Sequence, residues 1–201
     1  LLQSSVIIAF LIIKILFYSR RIASYLMNDL SIKREEKVAI ISESKVEFGA
    51  AFFASIIAGT TFVPLDIKLT IHELTSILSD CRPSVLFVSK SHLDCALKLK
   101  ETITSIKHII LLDNAVKDNE IVSIYSIPEN YGTKFRHRSL NSNALIIYTS
   151  GTTGNPKGVQ TTFKNMLSQI TDLKTVLSEV FKEGEPVNTL SILPMNHLFE
   201  L

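Results

Sequence analysis

The sequence predicts an α/β fold: a parallel sheet flanked by helices on both faces. Short apolar runs recur along the chain, at residues 38–41, 61–63, 85–88, 108–112 and 144–148. Each has the length and composition of a strand buried on both sides. Between the first four lie segments whose apolar residues repeat at helical spacing, several of them with recognisable starts and stops. Strands alternating with helices build βαβ units and a parallel sheet. In such sheets ligands sit beyond the carboxyl ends of the strands.

The chain opens on residues 1–18, almost entirely apolar apart from Gln3 and Lys14, and followed at once by Arg20 and Arg21. A membrane-spanning helix needs about 20 apolar residues, with a lower limit near 17. The run therefore reads either as a membrane anchor or interfacial helix, or as a buried helix of the domain. As an anchor it leaves the remainder on the cytoplasmic side, because the arginines follow it. It carries no A-x-A-like cleavage site, so a removed signal peptide is not expected. From Ser19 onward, Ile22, Ala23, Leu26, Met27 and Leu30 form one apolar helical face. The charged stretch Lys33-Arg34-Glu35-Glu36-Lys37 is a solvated turn before the strand Val38-Ala39-Ile40-Ile41.

Ser44-x-x-Glu47 has the spacing of a capping box and predicts a helix to about Ala58, with Gly59 in the stop position. Thr61-Phe62-Val63 is the next strand, ended by Pro64. Thr70-x-x-Glu73 is a second capping box, and Leu74, Ile77 and Leu78 line its helix. Strand 85–88, a helix over Leu93–Thr102 and strand 108–112 follow. Residues 113–143 read mostly as loop, with a short apolar piece at 121–124. Residues 1–18 thus stand as one unit and 19–201 as a single domain or part of one.

Composition narrows the function classes. The formal net charge is +2 with the signs interspersed, which leaves no nucleic-acid footprint. Cys81 and Cys95 form no C-x-x-C and have no histidine cluster nearby; they read as reduced thiols in a cytosol-facing protein. A metal site is not expected.

The stretch with chemistry in it is Tyr148-Thr149-Ser150-Gly151-Thr152-Thr153-Gly154-Asn155-Pro156-Lys157-Gly158. The chain has 7 glycines, and Gly151, Gly154 and Gly158 all fall here, so flexibility is placed rather than scattered. Glycines let backbone N–H groups turn toward one concave point, which binds anions. Ser150, Thr152 and Thr153 add hydroxyl donors, and Lys157 adds a mobile positive charge suited to phosphate. Hydrogen bonds to charged groups contribute roughly 1.5–3 kcal/mol each, so three or four hold a polyphosphate firmly. The G-x-x-x-x-G-K-[ST] loop does not fit, because Pro156 and Gly158 stand where it needs Gly and Ser/Thr. G-x-G-x-x-G fails on the spacing of Gly151 and Gly154.

What the residues 149–158 closely resemble is the signature [ST]-S-G-[ST]-T-G-x-P-K-G of the AMP-forming acyl- and aryl-CoA synthetases, luciferases and peptide-synthetase adenylation domains. They match at every defined position. Val38-Ala39-Ile40, Phe62-Val63-Pro64-Leu65-Asp66 and His72-Glu73-Leu74 also look like the N-terminal half of that adenylate-forming fold, so the resemblance covers roughly residues 19–201. Thr162-Phe163-Lys164-Asn165 keeps the Thr and Asn of the family's T-H-x-N stretch but has Phe163 at the His. Pro194-Met195-Asn196-His197-Leu198-Phe199-Glu200 is similar to the family's P-x-x-H segment, in the H-[IL]-F-E form of the long-chain fatty acyl synthetases.

The resemblance implies a fold and a reaction. ATP with Mg²⁺ would activate a carboxylic acid, above all a long-chain fatty acid, as an acyl-adenylate, and coenzyme A or a carrier protein's phosphopantetheine would take the acyl group as a thioester. Thr149, Ser150, Gly151, Thr152, Thr153, Gly154 and Gly158 would cradle the phosphates. Lys157 would act on the departing pyrophosphate, and His197 would line the acyl pocket and the thiol's approach. Two other readings stand beside it: adenylation of an amino or aryl acid for a carrier protein, and a non-catalytic membrane-associated remnant. Family members run to more than twice this length, and their adenine-binding, Mg²⁺-binding and late-lysine segments have no counterpart here. The chain is therefore expected to be a truncated N-terminal portion without turnover of its own.

Overall fold

The structure, a computed structural model, describes residues 2–114, 121–129, 135–149 and 156–180. Its centre is a seven-stranded sheet: β1 (Lys37–Ile41), β2 (Thr61–Leu65), β3 (Val85–Val88), β4 (His108–Leu111), β5 (Val122–Ser123), β6 (Asn143–Thr149) and β7 (Lys157–Thr162), in the order β5-β4-β3-β1-β2-β6-β7. All neighbours run parallel except β6 and β7, which pair antiparallel. Helices α1 (Leu2–Ser24), α2 (Val46–Ala58), α3 (Ile71–Cys81), α4 (Leu93–Thr102) and α5 (Phe163–Val180) complete the fold.

Alternation along each strand sends side chains into two cores, one on each face of the sheet. Val38, Ile40, Phe62, Val85 and Phe87 meet α1 and α2 on one face. Ala39, Ile41, Val63, Leu65, Leu86 and Val88 meet α3 and α4 on the other. This is why β1, β2 and β3 are continuous apolar runs rather than alternating ones. Helix α2 is buried nearly all round, because α1 covers the side that the sheet does not.

The predicted punctuation holds at two places. Gly59 closes α2 at φ 70°, a left-handed conformation that other residues adopt only with strain, and its N–H reaches Ile56 O at 3.2 Å. Thr70 and Glu73 form the capping box, with Thr70 N–H on Glu73 Oε2 at 2.8 Å and Glu73 N–H on Thr70 Oγ1 at 3.3 Å. At Ser44 the expectation fails. The residue before α2 is Lys45, with no side-chain cap. Glu47 is 9% exposed and turns inward, accepting from Tyr125 Oη and lying 3.4 Å from Lys14 Nζ. The Glu47 carboxylate is thus shared among the half-buried Tyr125 phenol, the Lys14 ammonium and its own backbone N–H.

Three other elements differ from the sequence reading. Strand β2 runs through Pro64 to Leu65; β6 meets β2 at Phe62↔Leu145, so a missing N–H beyond that point is tolerated as at a sheet edge. Residues 157–162, read as loop, are strand β7. The apolar N-terminal run does not stop at Tyr18: α1 continues to Ser24, then one wider turn over Tyr25–Asp29 brings Leu30 N–H to Tyr25 O at 3.1 Å. Ser19, Ile22, Ala23 and Leu26 are fully buried against the domain, whereas Ile12, Ile13, Leu16 and Phe17 are exposed. Among the described residues no helix is long and apolar enough to cross a membrane.

Candidate active site

The signature stretch sits on the β6–β7 hairpin, at the carboxyl end of a strand parallel to β2. The register runs Ile146↔Gln160, Ile147↔Val159, Tyr148↔Gly158 and Thr149↔Lys157, so the hairpin's mouth is framed by Thr149 and Lys157 directly opposite each other. Both are exposed. The structure therefore brings together Thr149, Lys157 and Gly158 of the predicted set. Ser150, Gly151, Thr152, Thr153 and Gly154 lie outside the described residues, and so does His197.

Gly158 is glycine for a packing reason. A Cβ there would lie 3.0 Å from Ile146 Cγ2 and 3.1 Å from Tyr148 Cζ, because the Tyr148 ring lies across the strand at that point. Tyr148 packs at the margin of the second core and donates its hydroxyl to the carboxylate of Asp80, near the end of α3. Burial, and then the Asp80 bond, hold the Tyr148 phenol well above its usual range, so it remains a donor. Cys81 lies beside it; burial first and Asp80 second push its thiol up to about 12. Both cysteines are free thiols.

The hairpin is also fixed at its other end. Thr162 and Asn165 exchange hydrogen bonds, Thr162 N–H to Asn165 Oδ1 at 3.0 Å and Asn165 N–H to Thr162 Oγ1 at 3.2 Å, which starts α5. The Thr and Asn are thus helix-start residues here. Phe163, at the position where relatives carry His, has the Arg138 guanidinium 5.2 Å from its ring centroid. Arg138 also donates to Thr60 O at 2.8 Å and lies 3.7 Å from Glu35. Neither Asp80 nor Arg138 carries a motif that marks it in the sequence. The start of α5 is different: the helical pattern of the sequence begins at about Thr162, and the helix starts at Phe163.

Among the described residues no group of three or more His, Cys, Asp or Glu side chains is arranged to hold a metal ion. The Mg²⁺ that accompanies ATP in the resemblance therefore finds no ligand set there. What the described mouth offers is an ammonium, a hydroxyl and the open end of an antiparallel ladder, which suit an anion.

A mostly parallel sheet covered by helices on both faces defines an α/β protein, a class in which ligands bind beyond the carboxyl ends of the strands, and Thr149 ends β6 there. More specifically, the chain belongs to the AMP-binding enzyme family, whose model matches residues 17–201. It is 31% identical over 188 residues to an oxalate–CoA ligase of Arabidopsis thaliana, covering 90% of this chain and 34% of that protein. With a long-chain-fatty-acid–CoA ligase of Salmonella typhimurium it shares 25% over 210 residues, 91% of this chain and 37% of that one. The solved luciferase of Phrixothrix hirtus superposes with a TM-score of 0.75 at 23% identity, over 92% of this chain and 36% of the other, a likeness of fold. The chain spans about a third of the length of the relatives it matches.

Proposed function

We propose that this chain is the phosphate-gripping part of an AMP-forming acid–thiol ligase that activates a long-chain fatty acid. The observation that carries the reading is the hairpin mouth: Lys157 opposite Thr149 at the two ends of a complete family signature. The acyl carboxylate and ATP are both anionic, so their approach needs fixed cationic and N–H donors. Lys157 and the backbone and hydroxyl donors of residues 149–154, with Gly158, hold the β- and γ-phosphates. The carboxylate oxygen forms its bond to the α-phosphorus as the α–β bridging bond breaks, and pyrophosphate departs along those donors. Mg²⁺ arriving with ATP would supply further positive charge beside the phosphates. The acyl-adenylate is then open to a thiol, from coenzyme A or a carrier-protein phosphopantetheine, with AMP leaving. His197 lines the acyl side. The fatty-acid substrate is supported by His197-Leu198-Phe199-Glu200 and by the Salmonella relative.

Lys157→Ala in the enzyme carrying this region should lower acid-dependent ATP–pyrophosphate exchange by about 10²-fold or more, as loss of a preorganised charge donor does. An unchanged rate removes Lys157 from the mechanism. Exchange driven by amino or aryl acids and not by palmitate would replace the fatty acid.

Exposed Ile12, Ile13, Leu16 and Phe17 support a second element of the reading, in which residues 1–18 associate with the cytoplasmic face of a membrane. Sedimentation with anionic vesicles that survives a high-salt wash, and is lost in an Ile12→Asp/Ile13→Asp variant, is the expected result. Wild-type protein left in the supernatant overturns it.

A further inference from the structure

The phosphate hairpin is held to the sheet in an uneven way. Its first strand, β6, joins β2 at Phe62↔Leu145, and from there to Thr149 its ladder bonds go to β7. Four residues of β6 thus lie between that tie and the end of the strand, and the mouth of the site is at the far end. Ile146 and Ile147 pack into the two cores, and the side-chain hydrogen bond that ties this outer part to another element is the Tyr148 hydroxyl on the Asp80 carboxylate, which links the end of α3 to the residue immediately before Thr149. Tyr148 in turn lies over Gly158, the residue immediately after Lys157, so closely that a Cβ there would press on its ring at 3.1 Å.

From this geometry we propose that Asp80 and Tyr148 form a positioning pair for nucleotide binding. Asp80 fixes the phenol, and the ring, pressed on Gly158, fixes the spacing and tilt of the Thr149–Lys157 mouth. Neither side chain needs to touch the nucleotide. The proposal rests on the phosphate-binding reading of the hairpin. It adds a residue of α3, nearly seventy positions from the signature, to the determinants of ATP affinity. The acceptor is anionic, which makes the bond stronger than one between neutral groups, although Asp80 itself is exposed and Tyr148 half-buried.

The test compares Tyr148→Phe, Asp80→Asn, the double variant and Lys157→Ala in the enzyme carrying this region. ATP–pyrophosphate exchange is measured against ATP and, separately, against fatty acid, alongside the melting temperature of each variant. A positioning pair gives a rise in KM for ATP of about tenfold in each single variant, the change that roughly 1.4 kcal/mol produces. The double variant should be no worse than either single one, and the KM for the acid should not change. Amide exchange should quicken in residues 147–149 and 157–159 and stay unaltered in β1 and β3. Wild-type ATP affinity in both single variants, with Lys157→Ala impaired, overturns the pair and leaves the phosphate site standing. A lowered melting temperature with both KM values shifted alike overturns it too, because it marks ordinary structural support. If Lys157→Ala itself is without effect, the phosphate-site reading fails and takes the pair with it.

Discussion

Replacing Gly158 with alanine tests how closely the two strands of the hairpin are fitted. The new methyl would stand 3.0 Å from Ile146 Cγ2 and 3.1 Å from Tyr148 Cζ, where ordinary carbon contacts lie at about 3.5–4.0 Å. Both neighbours would have to yield by several tenths of an ångström. Ile146 is 6% exposed and belongs to the second core, so it has little space to enter. Tyr148 can swing aside only by releasing Asp80. Overpacking of this kind costs about 1–3 kcal/mol. For a chain of this length each kcal/mol lowers the melting temperature by roughly 2–4 °C, so a drop of roughly 2–12 °C is expected. Urea unfolding gives the free energy directly, and the partner experiment is Tyr148→Ala. On its own that change destabilises; combined with Gly158→Ala it removes the clash with the ring and leaves the one with Ile146, so the combined loss should be less than the sum of the separate ones. A Gly158→Ala protein within about 0.5 kcal/mol of wild type, the range of ordinary surface substitutions, would refute the steric argument. So would strict additivity in the double variant.

Glu47→Ala should destabilise the chain by about 2–3 kcal/mol in urea unfolding, since it leaves the Tyr125 hydroxyl without its acceptor and Lys14 without its carboxylate. Glu47→Gln, which keeps an acceptor without the charge, should cost less, and equal losses would show that the charge rather than the acceptor carries the effect. Glu43 tests the acid limb. Desolvation is the largest influence on it and raises its pKa, but hydrogen bonds from Ser91, Ser89 and its own backbone, with the charge of His92, together bring it down to about 2. A carboxylate lowered on folding contributes stability above its unfolded value of 4.5, and that contribution is lost as pH falls from 4.5 toward 2. Glu43→Gln should therefore flatten the pH dependence of stability in that window and leave it unaltered near neutrality. Finally, Cys81, buried and with its thiol pushed up to about 12, should resist alkylation at pH 8 in the native chain, while the half-buried Cys95 reacts. Equal rates for the two, read by peptide mass, would contradict the burial of Cys81.

Much of this architecture is legible in the sequence because local and tertiary demands agree there. The apolar runs that became β1, β3 and β4 are sandwiched between helices, so composition alone identifies them. Thr70-x-x-Glu73 caps its helix because both side chains are solvent-facing and nothing competes for them. Ser44-x-x-Glu47 has the same spacing and does not cap, since Glu47 is drawn to Tyr125 and Lys14 from far along the chain. No local pattern distinguishes the two cases. Strand β7 was hidden because Lys157, Gly158, Gln160 and Thr161 have the composition of a loop; only pairing with β6 makes them a strand. Of the site, the signature is readable in the sequence, and the strand before it was legible while the strand after it was not. Asp80 was not readable, because a carboxylate near the end of an amphipathic helix is ordinary until the fold places a tyrosine against it.

Strand β7 stands last in the order of the described sheet, with Lys157, Gly158, Val159 and Gln160 facing solvent. A bare ladder edge invites any extended peptide to continue it, and a lysine there is one of the usual deterrents. Lys157 would thus answer to two pressures, the proposed phosphate binding and solubility. A variant that loses its charge should be checked for self-association before its lost activity is blamed on chemistry.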